Sequence, residues 1–240
     1  DLNKNKIREY DITVIGAGIS GVSSAYWLKK EDPHLKIAII DKGHVGVGAS
    51  GRNAGFITCG SVEHFNRLVQ SHGKSQAHKI WKFSEDNLDL LKNEIFQDDQ
   101  TLKEGALFEQ NGSFSLASTD NEYNELKNSA SLMKEFQIDV EVLNEADIKK
   151  RIKAEHFVGG IKYLNDASVH PMKLLNLMLD KIQDVDVFEH SEVFDIGESS
   201  QGPIVKTRSG IFKTTSLILA TNAYSYLLDN SFKDKIIPTR

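Results

Sequence analysis

The chain has very little cysteine, and this limits the kinds of protein that it can be. Cys59 is the single cysteine among 240 residues, so a framework of intrachain disulfides is excluded and a reducing compartment is compatible with the composition. The sequence has only four prolines, and it shows no internal repeat and no low-complexity linker. These features are typical of an ordinary folded protein.

Long apolar runs and basic runs are also lacking. No apolar stretch approaches the ~20 residues that span a bilayer, and the first ten residues are polar, without the apolar core of a signal peptide. The formal net charge is -5, and the absence of a basic stripe argues against nucleic acid as a partner. We therefore expect a cytoplasmic protein without a transmembrane segment, and peripheral membrane association stays open.

The histidines and acidic residues do not show the spacing of a metal or catalytic site. None of the eight histidines belongs to an H-x-x-x-H or H-E-x-x-H pattern, in which two ligands share one face of a helix. The acidic pairs at 85–86 and 98–99 are interpreted as solvated surface. We expect no bound metal, and the sequence alone assigns no catalytic residue.

The most informative pattern is the glycine motif Gly16-x-Gly18-x-x-Gly21, which directly follows an apolar run. Gly16 suits a tight turn, Gly18 allows a backbone to approach a pyrophosphate, and Gly21 allows close packing of helix on strand. The N–H groups at the start of the helix favour phosphate. Asp41 closes the next strand, where a carboxylate accepts hydrogen bonds from a ribose diol. Together these features predict a bound dinucleotide.

The apolar periodicity predicts a βαβ unit, an inserted region, and a return to strands. The segment 43–56 is rich in glycine, which predicts that it contains no regular element. A hairpin over 105–117 is expected to turn at Asn111-Gly112. The predicted helices cover 19–30, 75–96, 121–136, 145–152 and a segment opened by Pro171; the predicted strands cover 10–15, 36–40, 187–196, 203–207 and a last, buried strand at 216–221.

Several further motifs occur in a fixed order along nearly the whole chain. They are G-A-S-G-R-N-A-G at 48–55, V-G-G-I at 158–161, D-A-S-V-H-P at 166–171 and L-A-T-N-A-Y at 219–224. With the glycine motif, they resemble the D-amino-acid oxidase-like (DAO) family of FAD-dependent oxidoreductases. That family includes amine oxidases of the sarcosine oxidase and γ-glutamylputrescine oxidase types.

The resemblance implies an α/β fold, with a Rossmann-type FAD-binding domain around a central, mostly parallel sheet. Part of an α+β substrate domain, with antiparallel strands and helices, would interrupt it. We expect residues 1–70 and 155–230 in the FAD-binding domain, and 71–154 and 231–240 in the partial substrate domain. Because such oxidases are usually longer, the chain is expected to be the N-terminal part of one, to be completed by a C-terminal segment or a partner chain.

The resemblance also implies that the cofactor is FAD, held by four segments of the chain. The glycine turn would line the pyrophosphate, the end of the second strand would hold the ribose, and the A-S-G-R-N-A-G segment would pass beneath the flavin. A backbone at position 193 would meet the adenine, and the 220–222 turn would approach the nucleotide from the other side. The expected contacts are Gly16, Ala17, Gly18, Ile19, Ser20, Gly21, Asp41, Lys42, Ser50, Gly51, Arg52, Asn53, Ala54, Gly55, Val193, Ala220, Thr221 and Asn222.

The implied activity is the oxidation of a small-molecule amine or amino acid. A hydride would pass from the carbon that bears nitrogen to flavin N5, and the imine would then hydrolyse. One alternative is a dehydrogenase of a 2-hydroxy acid or glycerol phosphate on the same scaffold. Another is a non-catalytic FAD-binding fragment or subunit that needs a partner chain. A covalent flavin link through Cys59 is disfavoured against simple packing of the thiol.

Overall fold

The computed structural model describes residues 6–236. The ends of two predicted domain segments, 1–5 and 237–240, lie outside this range. The chain divides into two compact units, one that extends to Ala54 and resumes at Pro171, and one that covers Gly55–His170. These units differ from the predicted domains, because residues 55–70 and 155–170 belong to the second unit and 231–236 to the first.

The first unit is built around a six-stranded sheet with the order β8-β2-β1-β11-β10-β9. The first four strands in this order run parallel to one another, and β10 pairs antiparallel with both β11 and β9. The predicted mostly parallel sheet is thus confirmed. The strands are β1 Ile7–Ile15, β2 Ile37–Ile40, β8 Asp186–Phe188, β9 Val193–Ser199, β10 Gly202–Thr207 and β11 Gly210–Leu219.

The central strands are buried as their sequences predict. All four residues of β2 and the last three of β1 are buried, because the strands of a parallel sheet are covered on both faces. The helices of this unit are α1 Ile19–Glu31, α2 Ala49–Arg52 and α7 Pro171–Asp180. Two short 3₁₀ segments, Asn222–Leu227 and Asn230–Phe232, follow β11.

The second unit packs helices against a small antiparallel sheet. This sheet has the order β4-β6-β5, and a separate two-stranded sheet pairs β3 with β7. Its core contains Phe65, Trp81, Met133, Ile161 and Tyr163, all buried. The elements are β3 Phe56–Ile57, α3 Val62–Leu90, α4 Gln100–Gly105, β4 Ser113–Ala117, α5 Asp120–Glu135, β5 Val140–Asn144, α6 Glu145–Ile152, β6 Gly159–Tyr163 and β7 Ala167–Ser168.

Side-chain caps fix the starts of two predicted helices. The Thr119 side chain accepts from the Glu122 N–H, and the Glu122 carboxylate accepts in return from the Thr119 N–H, which starts α5. Asn144 and Asp147 form the same reciprocal pair at α6. Both helices are therefore confirmed, since a capping box satisfies two N–H groups that the helix itself leaves unpaired.

The predicted hairpin over 105–117 is wrong. Residues 100–105 form α4, and β4 pairs with β6, which comes much later in the chain. Gly112 does have a positive φ of 77°, but a Cβ there would lie 2.5 Å from the carbonyl oxygen of Tyr163. The Asn-Gly signal thus reflects a close approach to β6 and not a two-residue hairpin turn.

Several other features differ from expectation. Helix α3 begins at Val62, because the Ser61 side chain caps it, and Gly73 interrupts it with φ 78° and ψ 162°. A π-helical turn, Leu91–Ile95, then follows α3.

The glycine-rich segment, which was expected to contain no regular element, includes the short helix α2. The last strand starts at Gly210, and its final three residues are half-buried where a buried strand was expected.

No helix within residues 6–236 combines the length and the apolar character that a membrane span requires.

Candidate dinucleotide site

Gly16 forms the turn at the end of β1 and allows β11 to approach it. Its φ of +111° lies in the region that side chains disfavour, and a Cβ would lie 2.5 Å from the Ala220 carbonyl oxygen. The Ala220 N–H donates to the Ile15 carbonyl at 2.8 Å. Any larger residue at position 16 would therefore separate the ends of two paired strands.

Gly18 and Gly21 keep the start of α1 free of side chains. A Cβ at position 21 would overlap the Gly16 carbonyl oxygen and lie 3.2 Å from Val14 Cγ1. A Cβ at position 18 would lie 2.9 Å from Ser50 Oγ. Gly21 thus permits the packing of helix on strand, and Gly18 leaves room for a polar side chain from another segment.

The Asp41 carboxylate is held by the glycine turn and by the loop that follows β2. Its Oδ2 accepts from the Ala17 N–H, and its Oδ1 accepts from the Gly43 N–H, both at 2.8 Å. Each carboxylate oxygen has a second acceptor position. Asp41 can therefore hold the turn and still accept a hydrogen bond from a ligand hydroxyl.

Ser50 supplies the cap that α1 lacks in its own sequence. The N-cap residue is Gly18, which has no side chain, and Ser50 Oγ accepts from the Ile19 N–H at 2.8 Å. The N–H groups of Gly18, Ser20 and Gly21 have no acceptor among residues 6–236. They are the unpaired donors at the positive end of a 13-residue helix.

The predicted flavin segment forms α2 and the turn after it. The Asn53 side-chain amide donates to the carbonyls of Ala49 at 3.2 Å and Ser50 at 2.8 Å, which closes this helix. Arg52 and Ala54 are exposed. Within the described part of the chain, the Arg52 guanidinium has no ion pair or hydrogen bond, so it is available to an anion.

Glycines fix how this segment packs within its own unit. A Cβ at Gly51 would lie 2.5 Å from the Gly46 carbonyl oxygen and 2.7 Å from Met172 Sδ on α7. The Gly46 N–H donates to the Ala17 carbonyl at 3.0 Å, a link to the glycine turn that the sequence does not reveal. Gly55, by contrast, belongs to the second unit.

The remaining predicted residues follow β11 or begin β9. Thr221 Oγ1 lies 2.9 Å from Ser225 Oγ, and Asn222 has a positive φ of 49°. Lys42 Nζ lies 3.9 Å from the centroid of the Tyr224 ring, a cation–π contact that joins the loop after β2 to the segment after β11. Val193 starts β9; its adenine contact stays a prediction.

The chain also resembles known proteins over most of its length. A probable oxidoreductase, OrdL, of Haemophilus influenzae is 28% identical over 97% of this chain and 54% of its own length. The γ-glutamylputrescine oxidoreductase of Escherichia coli is 23% identical over 89% of this chain and 49% of its own. This chain thus spans about half the length of the curated relatives that it matches.

The solved structures agree with this result at the level of the fold. The crystal structure of glycine oxidase from Geobacillus kaustophilus superposes with a TM-score of 0.75 at 22% identity, and covers 92% of this chain and 58% of that one. The family described as "DAO: FAD dependent oxidoreductase" matches residues 11–240. The chain therefore belongs to the DAO family of FAD-dependent oxidoreductases.

Proposed function

We propose that the first unit binds FAD at the turn after β1 and that the complete protein oxidises an amine or an amino acid. One observation carries the binding proposal: the glycine turn, the Asp41 carboxylate, Ser50 and Ala220 meet where β1 ends. These residues come from four separate segments of the chain. Their convergence supports a common ligand.

The donors and the space at this turn fit an anionic dinucleotide. The unpaired N–H groups of Gly18, Ser20 and Gly21 can donate to pyrophosphate oxygens, which the positive end of α1 also attracts. The remaining acceptor positions of Asp41 suit ribose hydroxyls. The exposed Arg52 guanidinium supplies a charge-assisted donor for a phosphate or a flavin carbonyl.

When bound, FAD supplies the hydride acceptor that the oxidation needs. The chain's own residues then have to bind and orient the cofactor, and we assign none of residues 6–236 to proton transfer. The relatives support the substrate class: one of them is a γ-glutamylputrescine oxidoreductase, and a structural neighbour is a glycine oxidase. Both names refer to compounds that carry an amine.

A second candidate function rests on the length of the chain. Since it spans about half of its matched relatives, the residues that bind the substrate can lie in a further segment or a partner chain. In that case this polypeptide would bind FAD but would not turn over a substrate alone.

Cofactor binding is tested first, by titrating the purified chain with FAD and following the quenching of flavin fluorescence. We expect saturable binding that Gly18→Ala weakens, because its Cβ would occupy the space beside Ser50 Oγ. Gly105→Ala is the matched control, because a Cβ there meets no atom within 4 Å. Absence of FAD binding by the unsubstituted chain would contradict the proposal.

Substrate class is tested next, by adding candidate substrates to the FAD-loaded chain without oxygen. Bleaching of the flavin absorbance by N-methyl amino acids, D-amino acids or polyamine derivatives would support amine oxidation. Bleaching by 2-hydroxy acids or glycerol phosphate alone would favour the dehydrogenase alternative. FAD binding without bleaching by any of them would support the second candidate function.

A further inference from the structure

The loops that follow β2 and β8 lie side by side at the carboxyl ends of these two parallel strands. Three main-chain hydrogen bonds join them: Asp41 N–H to the Phe188 carbonyl at 2.9 Å, Ser191 N–H to the Asp41 carbonyl at 2.8 Å, and His190 N–H to the Gly43 carbonyl at 3.1 Å. The backbone of both loops is therefore fixed. Side chains on them keep a defined spacing.

Three metal-ligating side chains converge on this pair of loops. His44 Nδ1 lies 3.0 Å from Glu189 Oε2, and the rings of His44 and His190 are 4.2 Å apart between centroids, at an angle of 81°. One ligand atom from each of the three residues lies within 4.8 Å of the other two. Within residues 6–236, no other group of three or more His, Cys, Asp or Glu side chains has its ligand atoms within 4.8 Å of one another.

The Glu189 carboxylate is oriented by the backbone of the opposite loop. Its Oε1 accepts from the Val45 N–H at 2.6 Å, so its Oε2 is directed toward His44. This arrangement places one carboxylate oxygen beside the His44 ring and leaves it available as a ligand atom.

His190 has an unusual backbone conformation, with a φ of +51°. A non-glycine residue in this region is uncommon and carries a conformational cost, which the surrounding structure has to offset. This conformation occurs in the residue whose ring completes the group of three. The turn conformation thus determines where the imidazole leaves the loop after β8.

We propose that His44, Glu189 and His190 form a binding site for a divalent transition-metal ion of the Zn²⁺ type. Two imidazoles and one carboxylate suit Zn²⁺ and its neighbours better than Ca²⁺ or Mg²⁺, which prefer oxygen ligands. With metal–ligand bonds of ~2.0–2.2 Å, two ligand atoms can be at most ~4.4 Å apart. All three side chains are exposed, so they can rotate to bring their ligand atoms to these distances, and water can complete the coordination.

The metal proposal does not require that FAD binds, although both proposals involve the loop after β2. It departs from the expectation of no bound metal. That expectation rested on ligand spacing within one local segment. Here position 44 and positions 189–190 meet only because β2 and β8 are parallel neighbours. A bound ion would link the two loops, and because it binds the folded state it would raise the midpoint of thermal unfolding.

Equilibrium dialysis of the tag-free, chelator-treated chain against Zn²⁺ tests the proposal directly. We expect one Zn²⁺ per chain, and a loss of affinity of about tenfold or more in each of His44→Ala, Glu189→Gln and His190→Ala. Glu189→Gln keeps an oxygen acceptor for the Val45 N–H, so it separates loss of the ligand from loss of the loop structure. Co²⁺ serves as a second probe, since its visible absorption should appear in the unsubstituted chain and disappear in these variants.

His34→Ala is the matched control, because His34 is an exposed histidine of the same unit that does not belong to the group. It should bind Zn²⁺ as the unsubstituted chain does. The proposal is overturned if the unsubstituted chain binds no Zn²⁺, or if the three variants and the control bind it equally. Circular dichroism of each variant shows whether a lost affinity reflects a lost fold.

Discussion

The Asp41 carboxylate accepts a 2.8 Å hydrogen bond from the Ala17 N–H, so the acid that closes β2 also holds the glycine turn that closes β1. Its second carboxylate oxygen accepts a hydrogen bond from the Gly43 N–H. The turn is therefore held in position by the chain itself. Such preorganisation lowers the cost of ordering the turn when a ligand binds.

Replacing Asp41 with asparagine should affect both stability and cofactor binding. Asparagine has a single carbonyl oxygen, so its NH₂ group would face either the Ala17 or the Gly43 N–H. We expect a loss of about 1–3 kcal/mol in the free energy of unfolding, the usual cost of an unpaired buried polar group. The loss is measured by urea denaturation, and the FAD affinity, measured by fluorescence titration, should fall as well.

The comparison for this variant is Asp32→Asn. Asp32 also accepts a backbone hydrogen bond, from the His34 N–H, but in an exposed turn after α1. It should leave FAD affinity unchanged. If Asp41→Asn lowers stability while FAD binds normally, the carboxylate is a structural residue and its predicted contact with the ribose is wrong.

Local signals in the sequence predicted several elements that depend on local interactions. The βαβ start follows from apolar runs and glycines, and α5 and α6 follow from the apolar periodicity of their sequences. The Asn111-Gly112 signal misled because β6, a distant strand, determines the conformation there. In the same way, the Ser50 cap of α1 depends on a residue from another segment, which no spacing rule identifies.

Gly21 should tolerate no side chain, because helix α1 lies directly on the turn after β1. In Gly21→Ala the added methyl group would overlap the Gly16 carbonyl oxygen, which is backbone and cannot move aside by rotation. We expect a destabilisation of about 1–3 kcal/mol or more, as for other overpacked sites. Thermal and urea denaturation measure it.

Gly105→Ala is the control for this variant, because it adds the same methyl group but should not destabilise the chain. Gly105 is the last residue of α4, and a Cβ there has open space. Because alanine is favoured over glycine in a helix by up to ~1 kcal/mol, stability should stay constant or rise. If Gly21→Ala is as stable as the unsubstituted chain, the packing of α1 on its strand is looser than described.

Cys59 should be unreactive in the folded protein. Burial first, and then the nearby Glu85 carboxylate, raise the pKa of its thiol to about 12. Because the thiolate is the nucleophile, alkylation by iodoacetamide at pH 7.5 should be about a hundredfold or more slower than in the urea-unfolded chain. Mass spectrometry of timed samples gives both rates.

The same property predicts that Cys59 forms no covalent bond to the flavin. Acid precipitation of the FAD-loaded chain should leave all of the flavin in the supernatant. Glu85→Gln should increase the alkylation rate only modestly, because burial is the larger cause of the raised pKa. Rapid alkylation of the folded chain, or flavin in the precipitate, would contradict this account of the thiol.

Asp166 should make the stability of the chain fall as the pH rises. The residue is 4% exposed, and burial raises the pKa of its carboxyl group above the ordinary value even though the Ser113 hydroxyl donates to it at 2.5 Å. Between the unfolded pKa and this higher folded pKa, the folded chain holds more protons than the unfolded one. The free energy of unfolding therefore decreases as the pH rises through that window. Above the folded pKa it stays at this lower value.

Asp166→Asn should remove this decrease, because the amide stays neutral at every pH. Each tenfold difference in proton affinity between the two states corresponds to about 1.4 kcal/mol, and urea denaturation from about pH 3 to pH 7 measures it. Asp98→Asn is a control of opposite sign: Lys103 lowers the pKa of the exposed Asp98, so that carboxylate favours the folded state above its ordinary pKa. If both variants change the pH profile in the same direction, burial does not govern the ionisation of Asp166.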